Sequence, residues 1–281
     1  MTSQWQNFQK NLGEWHGSFT KLSTEGELLD DTPSILLLET VDEQTVRLTL
    51  RRFPSPAPGT DTPPVNELVR YYQSLGRDIL FFDNGAFSQG TIQIAPFADS
   101  GAEFGFIHQT ERLRVVTLFN ADGFLGNLTL IRETQAGVTP VSRAPVTVEA
   151  LLGEWQGEAV TLYPDLRSPR QYATSLKLSQ VADNQVTQEI TFGENSVYSL
   201  RSKGEVMGSK INFDQGSQPM TVFLLPGGAS VVVPGQVKLR QPLFWEAAWL
   251  IHPHLRQRMI RNYNDKGEWI SLTLITEHKV C

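Results

Sequence analysis

Apolar and polar residues alternate along most of the chain with the two-residue period of a β-strand. Over residues 46–51, valine and leucine alternate with arginine and threonine, which predicts a strand with one buried face. Similar runs follow one another, separated by turns rich in asparagine, aspartate and glycine that suit tight hairpins. Helical spacing of apolar residues is confined to residues 2–12 and 147–152. The pattern therefore predicts an all-β protein with two short helices.

The sequence also repeats itself over a long distance. The motif LGEWHG at Leu12–Gly17 recurs as LGEWQG at Leu152–Gly157, 140 residues later. The motif LTLI at Leu128–Ile131 recurs at Leu272–Ile275, 144 residues later. Because the repeat units of solenoid proteins span only about 20–50 residues, these matched starts and matched ends indicate duplication of a whole domain.

This duplication predicts two domains, at residues 1–138 and 146–281, joined by a linker at residues 139–145. Short antiparallel strands must protect their edges, and closing a sheet into a barrel removes those edges. Each half carries about eight or nine strand-like runs, enough for a small barrel whose interior can hold one ligand. We therefore predict two tandem antiparallel β-barrels, each preceded by a short helix. A proline-rich loop at residues 54–67 interrupts the first.

Composition and charge narrow the range of partners. The formal net charge of −6 argues against a general affinity for nucleic acid or for anionic membrane surfaces. No run of 18 apolar residues occurs, so we expect no membrane insertion. The first residues lack the pattern of a signal peptide. The one cysteine, Cys281, excludes a disulfide within the chain and cysteine-based metal sites. Together these observations predict a cytoplasmic protein.

Two charged pairs occupy equivalent places in the two halves. Glu103 and Arg114 recur as Glu246 and Arg258, 143 and 144 residues later, and all four are in phase with apolar strand residues. If these charges point into the barrels, each arginine could bind the carboxylate of a small amphipathic ligand, with the glutamate orienting it. A buried ion pair without a ligand, or side chains that point to solvent, would give the same pattern.

Aromatic residues offer a second set of candidate contacts. Trp249 could form a stacking wall for a flat ligand, although core packing is the more common role of such a residue. If Trp245 and Trp249 point inward, they would fill the second barrel and make the two barrels unequal. His252 and His254 lack a third metal ligand, and no nucleophile motif or catalytic triad appears. We therefore predict no catalytic residue and no metal site, and the sequence leaves any cofactor and any protein partner unspecified.

The motif Gly-x-Trp after a short helix resembles the signature of the lipocalins and calycins. Here it reads Gly13–Glu14–Trp15 and Gly153–Glu154–Trp155. The resemblance implies that each tryptophan closes one end of a barrel, often beneath an arginine of the last strand. Arg132 is placed for this role in the first half. The equivalent position in the second half is Thr276, and Lys279 is the candidate to replace the missing arginine there.

A closer resemblance covers nearly the whole chain. The segments Phe81–Gly90, Ala102–Gly123 and Phe244–Trp269 are similar to a two-barrel, lipocalin-like family of unassigned function, domain of unknown function 3598, which is common in cyanobacteria and plastids. Phycobiliprotein lyases, which hold bilin chromophores, are more distantly similar barrels. The resemblance implies the fold, and it carries no established activity with it.

Three hypotheses about function follow. The first is a carrier or sensor of a small amphipathic or hydrophobic ligand of the tetrapyrrole, fatty acid or carotenoid type. The second is a barrel-type enzyme, either a chromophore lyase or a lipid isomerase or cyclase. The third is an interaction module with filled barrels and no ligand. An open cavity that contains Glu103 or Glu246 would favour the first two hypotheses over the third.

Overall fold

The computed structural model describes residues 2–54, 63–193, 198–216 and 218–280. It consists of two compact units. The first comprises Met1–Gly90, Gly101–Leu118 and Gly126–Ser142, and the second comprises Thr91–Ser100, Phe119–Leu125 and Arg143–Cys281. Most of the predicted loop at residues 54–67 lies outside the described residues, as does Cys281. The predicted division of the chain at a linker over residues 139–145 stays a prediction.

A nine-stranded antiparallel sheet forms the first half of the chain. Its strands follow the order β4-β3-β2-β1-β9-β8-β7-β6-β5, so that β1 pairs with both β2 and β9. The strand bounds are β1 Gly13–Leu22, β2 Leu28–Thr40, β3 Val46–Arg52, β4 Asn66–Tyr72, β5 Ile79–Phe81, β6 Phe87–Gly90, β7 Ser100–His108, β8 Glu111–Phe119 and β9 Leu125–Gln135.

The second half forms a closed antiparallel barrel of ten strands in sequence order, with β10 pairing with β19 to complete the ring. The strand bounds are β10 Gly153–Leu162, β11 Arg170–Ala182, β12 Gln185–Phe192, β13 Tyr198–Met207, β14 Lys210–Phe213, β15 Met220–Leu224, β16 Ala229–Pro234, β17 Leu243–His252, β18 Leu255–Tyr263 and β19 Trp269–Lys279. The predicted fold class, all-β with two barrel-type antiparallel sheets, is confirmed.

A short helix precedes each sheet, α1 at Gln4–Gln9 and α2 at Val148–Leu151. Ser3 caps α1 in a capping box, and Thr147 caps α2, because their side-chain oxygens accept bonds from otherwise unpaired N–H groups of the first turn. Among the described residues, no helix has the length and apolar character needed to cross a membrane.

The tryptophan of each Gly-x-Trp motif is buried at equivalent places in the two sheets. Trp15 and Trp155 are 1% and 0% exposed. Each indole N–H donates to the backbone carbonyl four residues earlier, Asn11 in one half and Leu151 in the other, at 3.0 Å. The tryptophan therefore ties the end of the short helix to the first strand, and both tryptophans belong to apolar core clusters.

Candidate ligand-binding site

The second barrel encloses a cavity of about 380 Å³. Side chains from β11 to β18 line it, mostly at alternate positions along each strand, as expected for the inner face of a barrel. On β17 these are Phe244, Glu246 and Ala248, and on β18 they are Arg256 and Arg258. Aliphatic side chains make up much of the remaining wall: Leu151, Leu176, Leu178, Ile190, Leu200, Ile211, Val222 and Val232.

Four charged side chains form one network at the cavity wall. Arg258 donates to Glu246 through Nε at 2.7 Å and through Nη2 at 2.9 Å, which is a bidentate ion pair. Its Nη1 lies 3.7 Å from Oε2 of Glu277, and Arg256 donates through Nε to Oε1 of the same glutamate. All four residues are buried. Two arginines and two glutamates therefore balance one another inside the barrel.

A guanidinium covers the ring of Trp155, the tryptophan of the repeated GEWxG motif. The guanidinium carbon of Arg256 lies 4.6 Å from the ring centroid, within the range of a cation–π contact. Lys279 also approaches this ring, with its Nζ 5.0 Å from the centroid, and donates to the carbonyl of Ala150 at 2.9 Å. Lys279, the residue expected near Trp155, is therefore found there. The arginine over the ring is Arg256, which comes from β18 and not from the last strand, β19.

The first sheet repeats the network with a different division of bonds. Glu133 accepts from Nε of Arg112 at 2.7 Å, and from Nε and Nη2 of Arg114 at 3.0 and 2.9 Å. Glu103 accepts one bond from Nη1 of Arg114 at 2.8 Å, and its side chain is 25% exposed. The carboxylate of the bidentate pair is therefore Glu133, on the last strand β9, in the first sheet. In the second barrel it is Glu246, on β17.

A glycine makes room for each shared glutamate. Gly17 stands opposite Glu133 in the register between β1 and β9, and Gly157 stands opposite Glu277 between β10 and β19. A Cβ on Gly17 would lie 1.9 Å from a backbone carbonyl oxygen of the last strand, and a Cβ on Gly157 would lie 2.6 Å from one. The second glycine of the GEWxG motif therefore permits the close approach of the strand that carries the buried carboxylate.

Burial and charge act in opposite directions on these groups. Burial by itself would raise the pKa of Glu133, but the charges of Arg112 and Arg114 outweigh it and lower that pKa to about 2. Burial lowers the pKa of Arg114 and of Arg258, but their two carboxylate neighbours reverse this and raise it. Burial prevails for Arg112 and Arg256 and lowers their pKa values. The carboxylate of Glu133 is thus held in its charged form.

The structure brings four of the five predicted site residues together in pairs. Glu103 lies with Arg114, and Glu246 lies with Arg258 at the cavity wall. Trp249 is placed elsewhere. Because side chains alternate along a strand, it lies on the face of β17 opposite the three cavity-lining residues, where Arg143 stacks over its ring at 5.1 Å.

Trp245 shares the face of Trp249 and packs against Tyr263, with ring centroids 4.8 Å apart. The expectation that these two tryptophans would fill the second barrel is therefore wrong. Their strand alternates in the phase that puts Glu246 inside and the tryptophans outside. Tyr263 is buried there, and this burial raises the pKa of its hydroxyl to about 12.

Arg132 does not cover the tryptophan of the first sheet. Its side chain is exposed and donates to the hydroxyl of Thr20 at 3.0 Å. The guanidinium of Arg112, on the neighbouring strand β8, lies 4.5 Å from the ring centroid of Trp15 instead. The last strand supplies Glu133, the next residue along, whose side chain points inward.

Sequence reasoning missed four members of the two networks: Arg112, Glu133, Arg256 and Glu277. A signal for them was present, because each pair is separated by 144 residues, the same offset that relates the two LTLI motifs. Their strand phase was the second signal, since Arg112 and Arg256 lie two residues before the predicted arginines. Among the described residues, no group of three His, Cys, Asp or Glu side chains could hold a metal ion.

Comparison with solved structures places the chain among known proteins. A crystal structure of a protein of unknown function from the DUF3598 family of Nostoc punctiforme PCC 73102 is 49% identical, covers 100% of both chains and superposes with a TM-score of 0.92. The chain belongs to the DUF3598 family. Residues 1–138 match the N-terminal domain of that family. Residues 142–280 match a domain described as the C-terminal domain of biogenesis factor required for ATP synthase 1.

A more distant structure is the S-type phycobiliprotein lyase from Guillardia theta. It is 14% identical, covers 48% of this chain and 90% of its own, and has a TM-score of 0.40. This likeness is too weak to carry an argument about function. No curated protein matches the chain.

Proposed function

We propose that the second barrel binds a small amphipathic molecule with an aliphatic body. The observation that carries this proposal is the cavity of about 380 Å³, which lies within the size range of ligand pockets and has a charged network in its wall. An open cavity that contains Glu246 is the feature expected of a carrier or sensor rather than of a module with filled barrels.

The chemistry of the wall favours two of the three ligand types, a fatty acid or a carotenoid, over a tetrapyrrole. Its apolar part is mainly aliphatic, and Phe213 and Phe244 are its aromatic members among the described residues. A flat tetrapyrrole is best held by several stacked rings, whereas a fatty acyl or isoprenoid chain packs well against leucine, isoleucine and valine. We therefore favour an acyl or isoprenoid chain over a bilin.

The network limits the kind of head group that the ligand carries. Arg258 already has both carboxylates as partners, so it is poorly placed to receive a ligand carboxylate as its main counter-ion. Nη2 of Arg256 is buried without a hydrogen-bond partner among the described residues and belongs to a cavity-lining side chain. A small rotation of the guanidinium would turn Nη2 towards the cavity, where a ligand oxygen that accepts one bond would satisfy this donor. In this proposal Glu246 and Arg258 act as positioning groups in the second barrel.

The test is a binding titration with cis-parinaric acid, a fluorescent fatty acid. Ala248→Phe adds a ring to the cavity wall, and we expect it to weaken binding by about tenfold or more because the ligand loses its space. Lys177→Phe is the matched control, since Lys177 is exposed on β11 between two cavity-lining leucines. It should bind as the wild type does.

The same titration run with biliverdin and with a carotenoid separates the ligand types. Binding of biliverdin in preference to parinaric acid would contradict the acyl or isoprenoid assignment. Failure of the wild type to bind any of the three, or equal binding by Ala248→Phe, would remove the basis of the carrier proposal.

A second candidate function comes from the match of residues 142–280 to a domain of a protein named as a biogenesis factor for ATP synthase. On this basis we propose that the chain assists the assembly of ATP synthase, as an interaction module. We also propose that residues 139–145 form the linker between the two domains and that the chain acts in the cytoplasm. This function does not require the cavity, so the two candidates can be tested separately.

Co-purification tests the second candidate. A tagged chain should retain ATP synthase subunits after washing at physiological salt, and its loss from the cell should lower the amount of assembled ATP synthase. The Ala248→Phe variant is informative here as well. If assembly depends only on surface contacts, this variant should restore assembled enzyme fully. Unchanged ATP synthase in cells that lack the chain would contradict the proposal.

A further inference from the structure

The inner face of β2 and β3 carries two polar side chains that face each other. Ser34 stands directly opposite Arg52 in the register between these strands. Both share the face of the buried apolar residues Leu36 and Leu50, their neighbours two positions along. Residues directly opposite on one face have Cβ atoms about 4.5–5.5 Å apart, so one small group can contact both side chains.

Both polar groups lack partners among the residues that the structure describes. Oγ of Ser34 and Nε of Arg52 are buried and make no hydrogen bond, and Ser34 is only 3% exposed. The guanidinium of Arg52 lies over Phe19, 4.4 Å from the ring centroid. A buried donor without an acceptor costs about 1–3 kcal/mol, so such donors in a native protein call for an explanation.

Arg52 has no carboxylate partner among the described residues, unlike Arg112 and Arg114. Two further inward arginines, Arg112 and Arg114, are balanced by Glu133 and Glu103. The guanidinium of Arg114 also lies 5.6 Å from the centroid of Phe19. The interior of the first sheet thus has one more positive than negative side chain among these residues, which favours an anion there.

The second barrel shows that the fold does not need this cation. The residues that stand opposite each other at the equivalent places are Thr174 and Phe192, and Ala159 takes the place of Phe19. The oxygen Oγ1 of Thr174 is also buried without a partner, so the unpaired hydroxyl occurs in both halves. The arginine over an aromatic ring is the part that distinguishes the first sheet.

We propose that Arg52 and Ser34 form a binding site for the oxyanion head group, a carboxylate or a phosphate, of a small amphipathic molecule. Nε of Arg52 and Oγ of Ser34 are covered in this structure, so the ligand would enter by displacing the side chains over them. The guanidinium can then donate two parallel bonds through Nε and one Nη, and the serine hydroxyl can donate a third. The apolar part of the ligand would pack on Phe19 and the leucines beside the two polar residues. The site lies in the first sheet and is independent of the function proposed for the second barrel.

Octanoate, octanol and inorganic phosphate are suitable probes, with native mass spectrometry to count bound molecules and calorimetry to measure affinity. Arg52→Met removes the donors. Arg51→Met is the matched control, since the adjacent Arg51 is exposed and paired with Glu67 at 2.6 Å. Arg52→Met should melt no lower than the wild type, because Arg52 has no ion-pair partner to lose among the described residues. Its affinity for octanoate at this site should fall by roughly ten- to hundredfold. Native mass spectrometry should therefore count one bound octanoate fewer than in the wild type.

The Ala248→Phe variant separates this site from the second barrel and should keep the Arg52-dependent octanoate. Ser34→Ala should weaken the same binding event to a smaller extent. Equal octanoate binding by the wild type and Arg52→Met would overturn the proposal, as would octanol binding as tightly as octanoate at this site. Inorganic phosphate binding as tightly as octanoate would overturn the requirement for an apolar part.

Discussion

The first sheet and the second barrel contain the same four-charge network but distribute its bonds in opposite ways. In the first, the carboxylate of the last strand, Glu133, holds both arginines, and Glu103 contributes one bond. In the second, Glu246 holds Arg258 with two bonds, and Glu277 mainly serves the other arginine. Because both arrangements neutralise two buried arginines, the network is first of all a condition for folding.

The parts that differ between the halves are better guides to function than the parts that repeat. A buried arginine stacked on tryptophan occurs in both halves, and so does a glycine opposite a buried glutamate. The described cavity belongs to the second barrel, and the unpaired Arg52 belongs to the first sheet. Shared features can be tested by stability, and the differing features need binding measurements.

The largest expected effect is the loss of the shared carboxylate. Glu133→Gln should destabilise the protein by about 3–5 kcal/mol, because two buried arginines lose their common counter-ion. Glu277→Gln should cost less, since Arg258 keeps its bidentate partner Glu246. Urea denaturation followed by tryptophan fluorescence measures both. The control is Glu39→Gln, an exposed ion-pair residue that should change stability by less than about 1 kcal/mol.

Equal losses for Glu133→Gln and Glu277→Gln would show that the different bonding in the two halves has no energetic consequence. A larger loss for Glu277→Gln would reverse the comparison.

Acid should reveal the charged state of Glu133. Its pKa of about 2 in the folded protein lies below its ordinary value of 4.5. The stabilisation that it provides is therefore complete above about pH 4.5 and is lost as the pH falls towards 2, by on the order of 3 kcal/mol. Denaturation midpoints measured from pH 5 to pH 3 should fall more steeply for the wild type than for Glu133→Gln. Parallel slopes would contradict the assignment.

For the other two carboxylates the order of the halves should be reversed: the loss of Glu246 in the second barrel should cost more stability than the loss of Glu103 in the first sheet. Glu246→Gln should cost about 2–3 kcal/mol, because Glu246 is buried and accepts both bonds of Arg258. Glu103→Gln should cost about 1 kcal/mol or less, since Glu103 accepts one bond and is partly exposed. The two variants are compared by the same urea denaturation. A greater loss for Glu103→Gln would show that exposure does not set the strength of these pairs.

Much of the fold could be predicted because its signals are local or repeated. The two-residue period gave the strands, and the recurrence of the motif around Trp15 gave two related sheets. The pairs Glu103–Arg114 and Glu246–Arg258 could be predicted because each joins neighbouring strands of one hairpin, so their contact depends on a short turn alone.

The remainder depends on register between strands that are distant in sequence. Arg132 and Glu133 are adjacent, and which of them points inward is decided by the pairing of β9 with β1, which puts Glu133 opposite Gly17. The same limit applies to Trp249, because the phase of β17 relative to the barrel interior decides between a binding role and outer packing. Sequence alone does not fix that phase when both faces of a strand are apolar.

The smallest expected effect concerns Arg132, which the sequence predicted to cover Trp15, in contrast to Arg112, which covers that ring in the structure. Arg132→Leu should change the free energy of unfolding by no more than about 0.5 kcal/mol, because Arg132 is exposed and makes one bond, to Thr20. Arg112→Leu should cost several-fold more, since it leaves Glu133 with one arginine and uncovers the ring of Trp15. The same urea denaturation compares the two variants, and a shift in the tryptophan fluorescence of the folded protein should accompany only the second. A large loss in Arg132→Leu would return the covering role to the last strand and would contradict the placement of Arg112 over the tryptophan.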